Sequence, residues 1–184
     1  MLDYMFPLPS DKQVHDLHRW VYDLLKGQPR PLYRVEEKTF GGVVIVRSSQ
    51  EIVDELAQPL RTIEPHAGSV VSFKLRASVT FKQNGKRVYV NCFDHGARIA
   101  WLDRKSRAAG FEVLDAKVQA RKEVMKKGDA EFAIDDTDFE VVARITDAAA
   151  FSEALRVGIG PVGRAYGRGM ILVTKQINEQ VAAA

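Results

Sequence analysis

Residues 158–169 read Gly158-Ile159-Gly160-Pro161-Val162-Gly163-Arg164-Ala165-Tyr166-Gly167-Arg168-Gly169, and two architectures compete for them. Taken literally the stretch contains GxGxxG, the phosphate fingerprint of a doubly wound dinucleotide fold. That fold needs a strand before the glycines and a helix with an acidic residue after them. Here the neighbours run the other way. Asp147 to Val157 has the pattern of a helix with Asp147 as its cap, and Met170 to Thr174 that of a strand. The glycines are then a turn from the last helix into the last strand. Five glycines in twelve residues are more than a tight turn demands. A loop that lets backbone N–H groups approach a phosphate is therefore expected, with Arg164 and Arg168 adding charge. A turn without any ligand is the plainer alternative.

Working outward, the preceding elements repeat one order. Leu2 to Leu8 is a short apolar strand closed by prolines. Ser10 and Gln13 form a capping box for a helix whose Val14, Leu17, Val21 and Leu25 recur at helical spacing until Gly27 and Pro29. Leu32 to Glu37 and Val43 to Arg47 read as a hairpin around Gly41-Gly42, and Ser49 to Leu60 as a second helix broken near Pro59 and Pro65. The closing strand of this unit is poorly marked around Arg61 to Glu64. A second pass begins with a strand from Val70 to Phe81, extended after Asn84-Gly85 by Val88 to Val90. A helix from His95 to about Ala109 follows, and Gly110 stops it. Phe111 to Val118 and Phe139 to Ile145 are strands around a basic middle, ahead of the Asp147 helix. Two units of strand-helix-strand-strand-helix-strand order predict an α+β chain of tandem ferredoxin-like (RRM-like) folds with antiparallel sheets, over residues 1–66 and 67–184.

Composition removes other classes. Of 184 residues, 46% are hydrophobic and 28% charged, an ordinary globular mixture. No apolar run approaches the ~18 residues that span a bilayer. The N-terminal residues lack a basic region ahead of a long apolar core, so a soluble, cytoplasmic protein without membrane attachment is expected. A single cysteine, Cys92, excludes an internal disulfide framework and a multi-cysteine zinc site. The net charge of +3 is unevenly placed: residues 1–73 sum to −2, residues 74–128 to +9 and residues 129–184 to −4. Solubility needs no such segregation, whereas a polyanion-binding surface does.

Candidate chemistry begins on the first helix. His15, His18 and Tyr22 stand at i, i+3 and i+7 beside the apolar stripe, where an imidazole borders the core and can still face a cleft. Partly buried histidines are also common as plain hydrogen-bonded core residues. A metal pair has little support, since only His66 and His95 remain and neither has suitable spacing. The basic surface comes from Arg98, Arg104, Lys105 and Arg107 on one helix, and from Lys117, Arg121, Lys122, Lys126 and Lys127 in the segment ending at Gly128. That segment reads as a projecting basic hairpin, suited to a folded RNA recognised by shape and backbone.

In four stretches the sequence resembles the CRISPR repeat-processing endoribonucleases of the CasE type, members of the RAMP superfamily. They are Leu17-His18, Phe73-Lys74-Leu75-Arg76-Ala77, Ile99-Ala100-Trp101-Leu102-Asp103-Arg104-Lys105, and Gly158-Ile159-Gly160-Pro161 running to Gly169-Met170-Ile171-Leu172. The glycine-rich loop before the final strand is the most specific of the four. The resemblance implies tandem ferredoxin-like domains and metal-independent cleavage at the base of a repeat hairpin, with no cofactor. It also implies retention of the product as a subunit of a Cascade-like interference complex. His18 matches the family's catalytic histidine, and the family's tyrosine three residues earlier is here His15, which makes an acid/base histidine pair a candidate beside Tyr22. RNA contact is carried over to the basic helix, the basic hairpin and the loop residues Gly163, Arg164 and Arg168. A non-catalytic RNA-hairpin module of the same fold is the rival expectation, and a nucleotide-binding protein using Gly158 to Gly163 a more distant one.

Overall fold

The computed structural model describes residues 1–9, 14–26, 31–38, 41–60, 63–91, 93–127, 130–160 and 162–177. The cap residues Ser10 and Gln13, the stop at Gly27 and Pro29, and also Cys92 and Gly128, lie outside the described residues.

Alternation builds the first sheet. β1 (Leu2–Pro7) buries Tyr4 and Phe6, β2 (Leu32–Lys38) buries Tyr33, and β3 (Gly41–Ser48) buries Val44 and Val46, all toward one face. Helix α1 (Val14–Leu24) lies on that face, and its Leu17 and Val21, with Leu25 just beyond it, complete the cluster. With β4 (Gln58–Leu60) the strand order is β2-β3-β1-β4, antiparallel throughout.

The expected helix from Ser49 to Leu60 is not formed. Residues 51–57 run through a turn in which the Asp54 carboxylate accepts from Leu56 N–H at 2.8 Å and the Asp54 carbonyl accepts from Ala57 N–H at 3.1 Å. An aspartate that binds local backbone this way competes with helix, and Pro59 stands one residue into β4. The closing strand thus lies at Gln58–Leu60, just before the stretch the sequence marks poorly.

The second sheet repeats the pattern. β5 (Val70–Ala77), β8 (Phe111–Lys127), β9 (Ala130–Ile145) and β10 (Ile171–Ile177) stand in the order β10-β5-β9-β8. Numbered within each unit, both sheets read 4-1-3-2, the ferredoxin-like order. α2 (His95–Ala108) and α3 (Ala148–Val157) start on aspartate caps, where Asp94 accepts from Ala97 N–H at 2.8 Å and Asp147 from Ala150 N–H at 3.0 Å. Their Trp101, Leu102, Phe151 and Leu155 pack on Phe73, Leu75, Phe139 and Val141 of the sheet. The strand expected from Val70 to Phe81 is interrupted: β6 (Thr80–Gln83) and β7 (Lys86–Tyr89) form a separate hairpin turned by Asn84-Gly85. β8 and β9 continue well past the rest of the sheet. β5 covers β9 only between Thr137 and Arg144, so residues 121–127 and 130–136 form a two-stranded ribbon that projects from one end.

The outer face of the first sheet meets the second unit. Leu32 and Ile45 pack against Met170 at the start of β10. Beside them Arg47 grips the Asp3 carboxylate at 2.7 and 2.6 Å and donates to the carbonyls of Leu155 and Ile171 at 2.7 and 2.9 Å.

Candidate functional site

α1 sits where the two units touch. It packs against the 3-10 turn Arg164–Tyr166 of the glycine-rich loop and also reaches β8. His18, half-buried on α1, faces the Tyr33 ring with centroids 6.3 Å apart. The Tyr33 hydroxyl crosses to the other unit and donates to the Ala165 carbonyl at 2.6 Å. Burial, only partly offset by nearby Arg168, holds the Tyr33 phenol above its ordinary value, so the donor keeps its proton. Among the described residues, His18 Nδ1 is buried with no hydrogen-bond partner. An unmet buried polar atom costs about 1–3 kcal/mol.

The loop has the shape its glycines require. Gly167 has φ +73, and a Cβ there would stand 3.2 Å from the Tyr33 ring. Gly163 has φ +78, and a Cβ would come 2.7 Å from Arg168 Cγ. Much of the loop's backbone is engaged internally. Ile159 N–H donates to Gly169 O at 2.7 Å, Tyr166 N–H to Gly163 O at 2.8 Å and Gly169 N–H to Arg76 O at 2.8 Å. The whole loop is therefore not one open cradle of N–H groups.

The sequence-predicted cations divide into two sets. Arg98 is 1% exposed, and its guanidinium points inward to Thr137 Oγ1 and to the carbonyls of Asp136, Val90 and Asn91. Arg168 is buried in an ion pair with Asp136, which also accepts from Ser78 Oγ at 2.5 Å. Arg164 folds back on its own loop, donating to Gly160 O at 3.1 Å and to Val157 O. These three arginines shape the end of the unit. Arg104, Arg107, Lys117 and Lys122 are exposed, Lys105 lies 5.9 Å over the Trp101 ring, and Arg121 is half-buried on the ribbon. Tyr22 is 46% exposed. The side chains of His15, Lys126 and Lys127 lie outside the described residues.

A cluster not anticipated from the sequence joins the two units. Asp138 takes Arg76 at 2.7 Å, Arg34 at 3.7 Å and Arg121 at 3.9 Å, while Arg76 also donates to Val35 O of the first unit at 3.3 Å. Burial lowers the Arg34 pKa against the opposing pull of Glu36. Alternation along β2 and β5 was the available signal, since it puts Arg34 and Arg76 on the faces opposite Tyr33 and Leu75. Among the described residues no group of three or more His, Cys, Asp or Glu is placed to hold a metal ion, and no helix is long and apolar enough to cross a membrane.

Two antiparallel ferredoxin-like units with a glycine-rich loop at their contact define the class of protein. The family model described as CRISPR associated protein matches residues 9–175, and the chain belongs to that family. In fold it is similar to the CRISPR endoribonuclease Cse3 bound to a 19-nucleotide RNA, with TM-score 0.80, 23% identity, and coverage of 95% of this chain and 100% of that one. It is also similar to the CRISPR-associated protein Cas6e from Escherichia coli K-12, with TM-score 0.72, 23% identity, and coverage of 94% and 97%. A chain of a CRISPR RNA-guided surveillance complex aligns with TM-score 0.72, 22% identity, and coverage of 94% and 98%. No curated protein matches the sequence.

Proposed function

We propose that the chain is a metal-independent endoribonuclease of the cytoplasm. It cleaves CRISPR precursor RNA at the base of the repeat hairpin and stays on the product as a subunit of a Cascade-like interference complex. One observation carries the reading. The His18 imidazole lies beside Tyr33, whose hydroxyl bonds the glycine-rich loop, and that loop is tied through Arg168 to Asp136 at the base of the basic ribbon. A proton-transfer group and a cationic surface thus share one junction.

In this reading the RNA stem lies along Lys117 of β8, the ribbon cations Arg121, Lys122, Lys126 and Lys127, and the α2 cations Arg104, Lys105 and Arg107. Gly163 and Arg164 approach the backbone near the scissile phosphate. Arg98 and Arg168 serve this surface from inside, by fixing the ribbon base and the loop. The 2′-hydroxyl before the scissile bond attacks phosphorus in line, and the 5′-oxygen leaves. His18 either takes the 2′-hydroxyl proton or gives one to the departing oxygen, a role typically worth 10²–10⁴-fold. A neighbouring cation stabilises the phosphorane. The products are a 2′,3′-cyclic phosphate and a 5′-hydroxyl. His15 and Tyr22 are the candidates for the second proton-transfer group. The fold shared with Cse3 and with a chain of a surveillance complex supports both the cleavage and the retention.

The test is purified protein mixed with a repeat RNA in EDTA. The expected result is cleavage by the parent, lost in His18→Ala with RNA binding kept. RNA bound but intact under every condition would contradict the enzyme and favour a binding module.

A further inference from the structure

The hairpin β6–β7 belongs to neither ferredoxin-like repeat, and its surface is unusual. Lys82 stands directly opposite Arg87, an arrangement that destabilises a strand pair. Among the described residues neither makes an ion pair, and residues 77–93 contain Lys82, Lys86 and Arg87 but no acidic side chain. Tyr89, 46% exposed, shares the face of the Lys82–Arg87 pair, because it stands two residues along the strand from Arg87. Phe81 is 40% exposed on the other face, and Phe93, just beyond the hairpin, is 86% exposed. A two-stranded hairpin is marginal by itself, so repelling cations and open aromatic rings on it call for an occupant.

The hairpin is also aimed. Ser78 at its base bonds Asp136 of the ribbon and faces Gly163 of the glycine-rich loop, where a Cβ on the glycine would stand 3.1 Å from Ser78 Oγ. Arg98 ties the far side of the base, at Val90 and Asn91, to Thr137. Hairpin, loop and ribbon therefore leave the same end of the second sheet, held by one set of buried polar contacts.

We infer that the β6–β7 hairpin, with Lys82, Arg87 and Tyr89, is a binding platform for single-stranded RNA continuous with the stem held at the ribbon. Clustered cations meet phosphates, and an exposed ring beside them offers a face on which a base stacks without sequence preference. A protein partner is the weaker match, since protein interfaces are depleted in lysine. The inference rests on the proposed RNA-binding reading and adds to it a second site.

The experiment uses the full chain and three RNAs. One is the repeat stem-loop alone, and the others carry a single-stranded extension of about eight nucleotides at the 5′ or the 3′ end, within the span such platforms cover. Affinity is measured by fluorescence anisotropy over a salt series. For one of the extended RNAs, Tyr89→Ala weakens binding about fivefold or more. With Lys82→Ala/Arg87→Ala the salt slope for that RNA falls by about 1.4. Both variants bind the bare stem-loop as the parent does, and which extension responds tells which side of the stem the platform serves. Equal losses on all three RNAs, or no loss on any, overturn the platform. Loss of a neighbouring subunit with RNA binding unchanged overturns it in favour of a protein contact. A parent that binds none of the RNAs overturns the underlying function as well. All three side chains are exposed, and matching thermal unfolding curves establish that the variants are folded.

Discussion

The two units share one strand order and almost nothing else. The first is the lean one, with a single helix among the described residues, a turn in place of the second helix, and a net negative charge over residues 1–73. The second has both helices, an inserted hairpin, the glycine-rich loop and a long ribbon, and its residues 74–128 sum to +9. On our account the first unit supplies the imidazole and the second the grip. In the proposed function, two copies of one scaffold divide chemistry from binding across their contact, where Tyr33 of one meets Ala165 of the other.

Several variants break or sharpen that contrast. Arg168→Met strands the fully buried Asp136 carboxylate without its guanidinium, and urea unfolding should show a loss of about 3–5 kcal/mol. Arg47→Met attacks the contact between units directly by removing charge-assisted bonds to Asp3, Leu155 and Ile171. Its expected cost is about 1.5–3 kcal/mol. An unfolding curve that splits into two steps would mean that this arginine is what couples the units. Replacing Arg121 and Lys122 with alanine should leave the fold intact, weaken RNA binding and lower its salt slope by about one for each phosphate left without its cation. An unchanged slope would place the ribbon away from RNA.

The smallest effect belongs to Tyr33→Phe. The net worth of its hydrogen bond is about 0.5–1.5 kcal/mol. Its phenol is held above the ordinary value of 10.0 by burial. Above that pH the unfolded chain releases the proton while the folded one keeps it, so stability falls as pH rises. Unfolding midpoints compared between pH 9 and 11 should fall more steeply for the parent than for Tyr33→Phe.

Much of this was legible in the sequence because it is local. Asp147 caps its helix, Gly110 ends another, and Leu17, Val21 and Leu25 recur on one face, so spacing alone places them. The misreadings came from nonlocal partners. The helix expected at Ser49–Leu60 yields to β4 pairing with β1, which does not show in the segment's own pattern, with the local turn at Asp54 assisting. Arg98 looks like a surface cation on a basic helix. Thr137, Val90 and Asn91, brought together only by the fold, draw it inside. The same applies to Arg34, Arg76 and Asp138, which lie far apart in the chain and meet between the units. Of the candidate site, the histidine on α1 and the basic ribbon stand out by residue type. Tyr33, the link between them, does not, since a buried tyrosine on a strand looks like any core residue.

The most direct test of the division of labour is one titration and one single-turnover time course on the same repeat RNA in EDTA, for the parent, His18→Ala and Arg121→Ala/Lys122→Ala. The account predicts that the histidine variant binds like the parent and cleaves about 10²–10⁴-fold more slowly, while the ribbon variant shows its loss in affinity and salt slope. Cleavage by His18→Ala at the parental rate, or an equal collapse of binding in both variants, would contradict it.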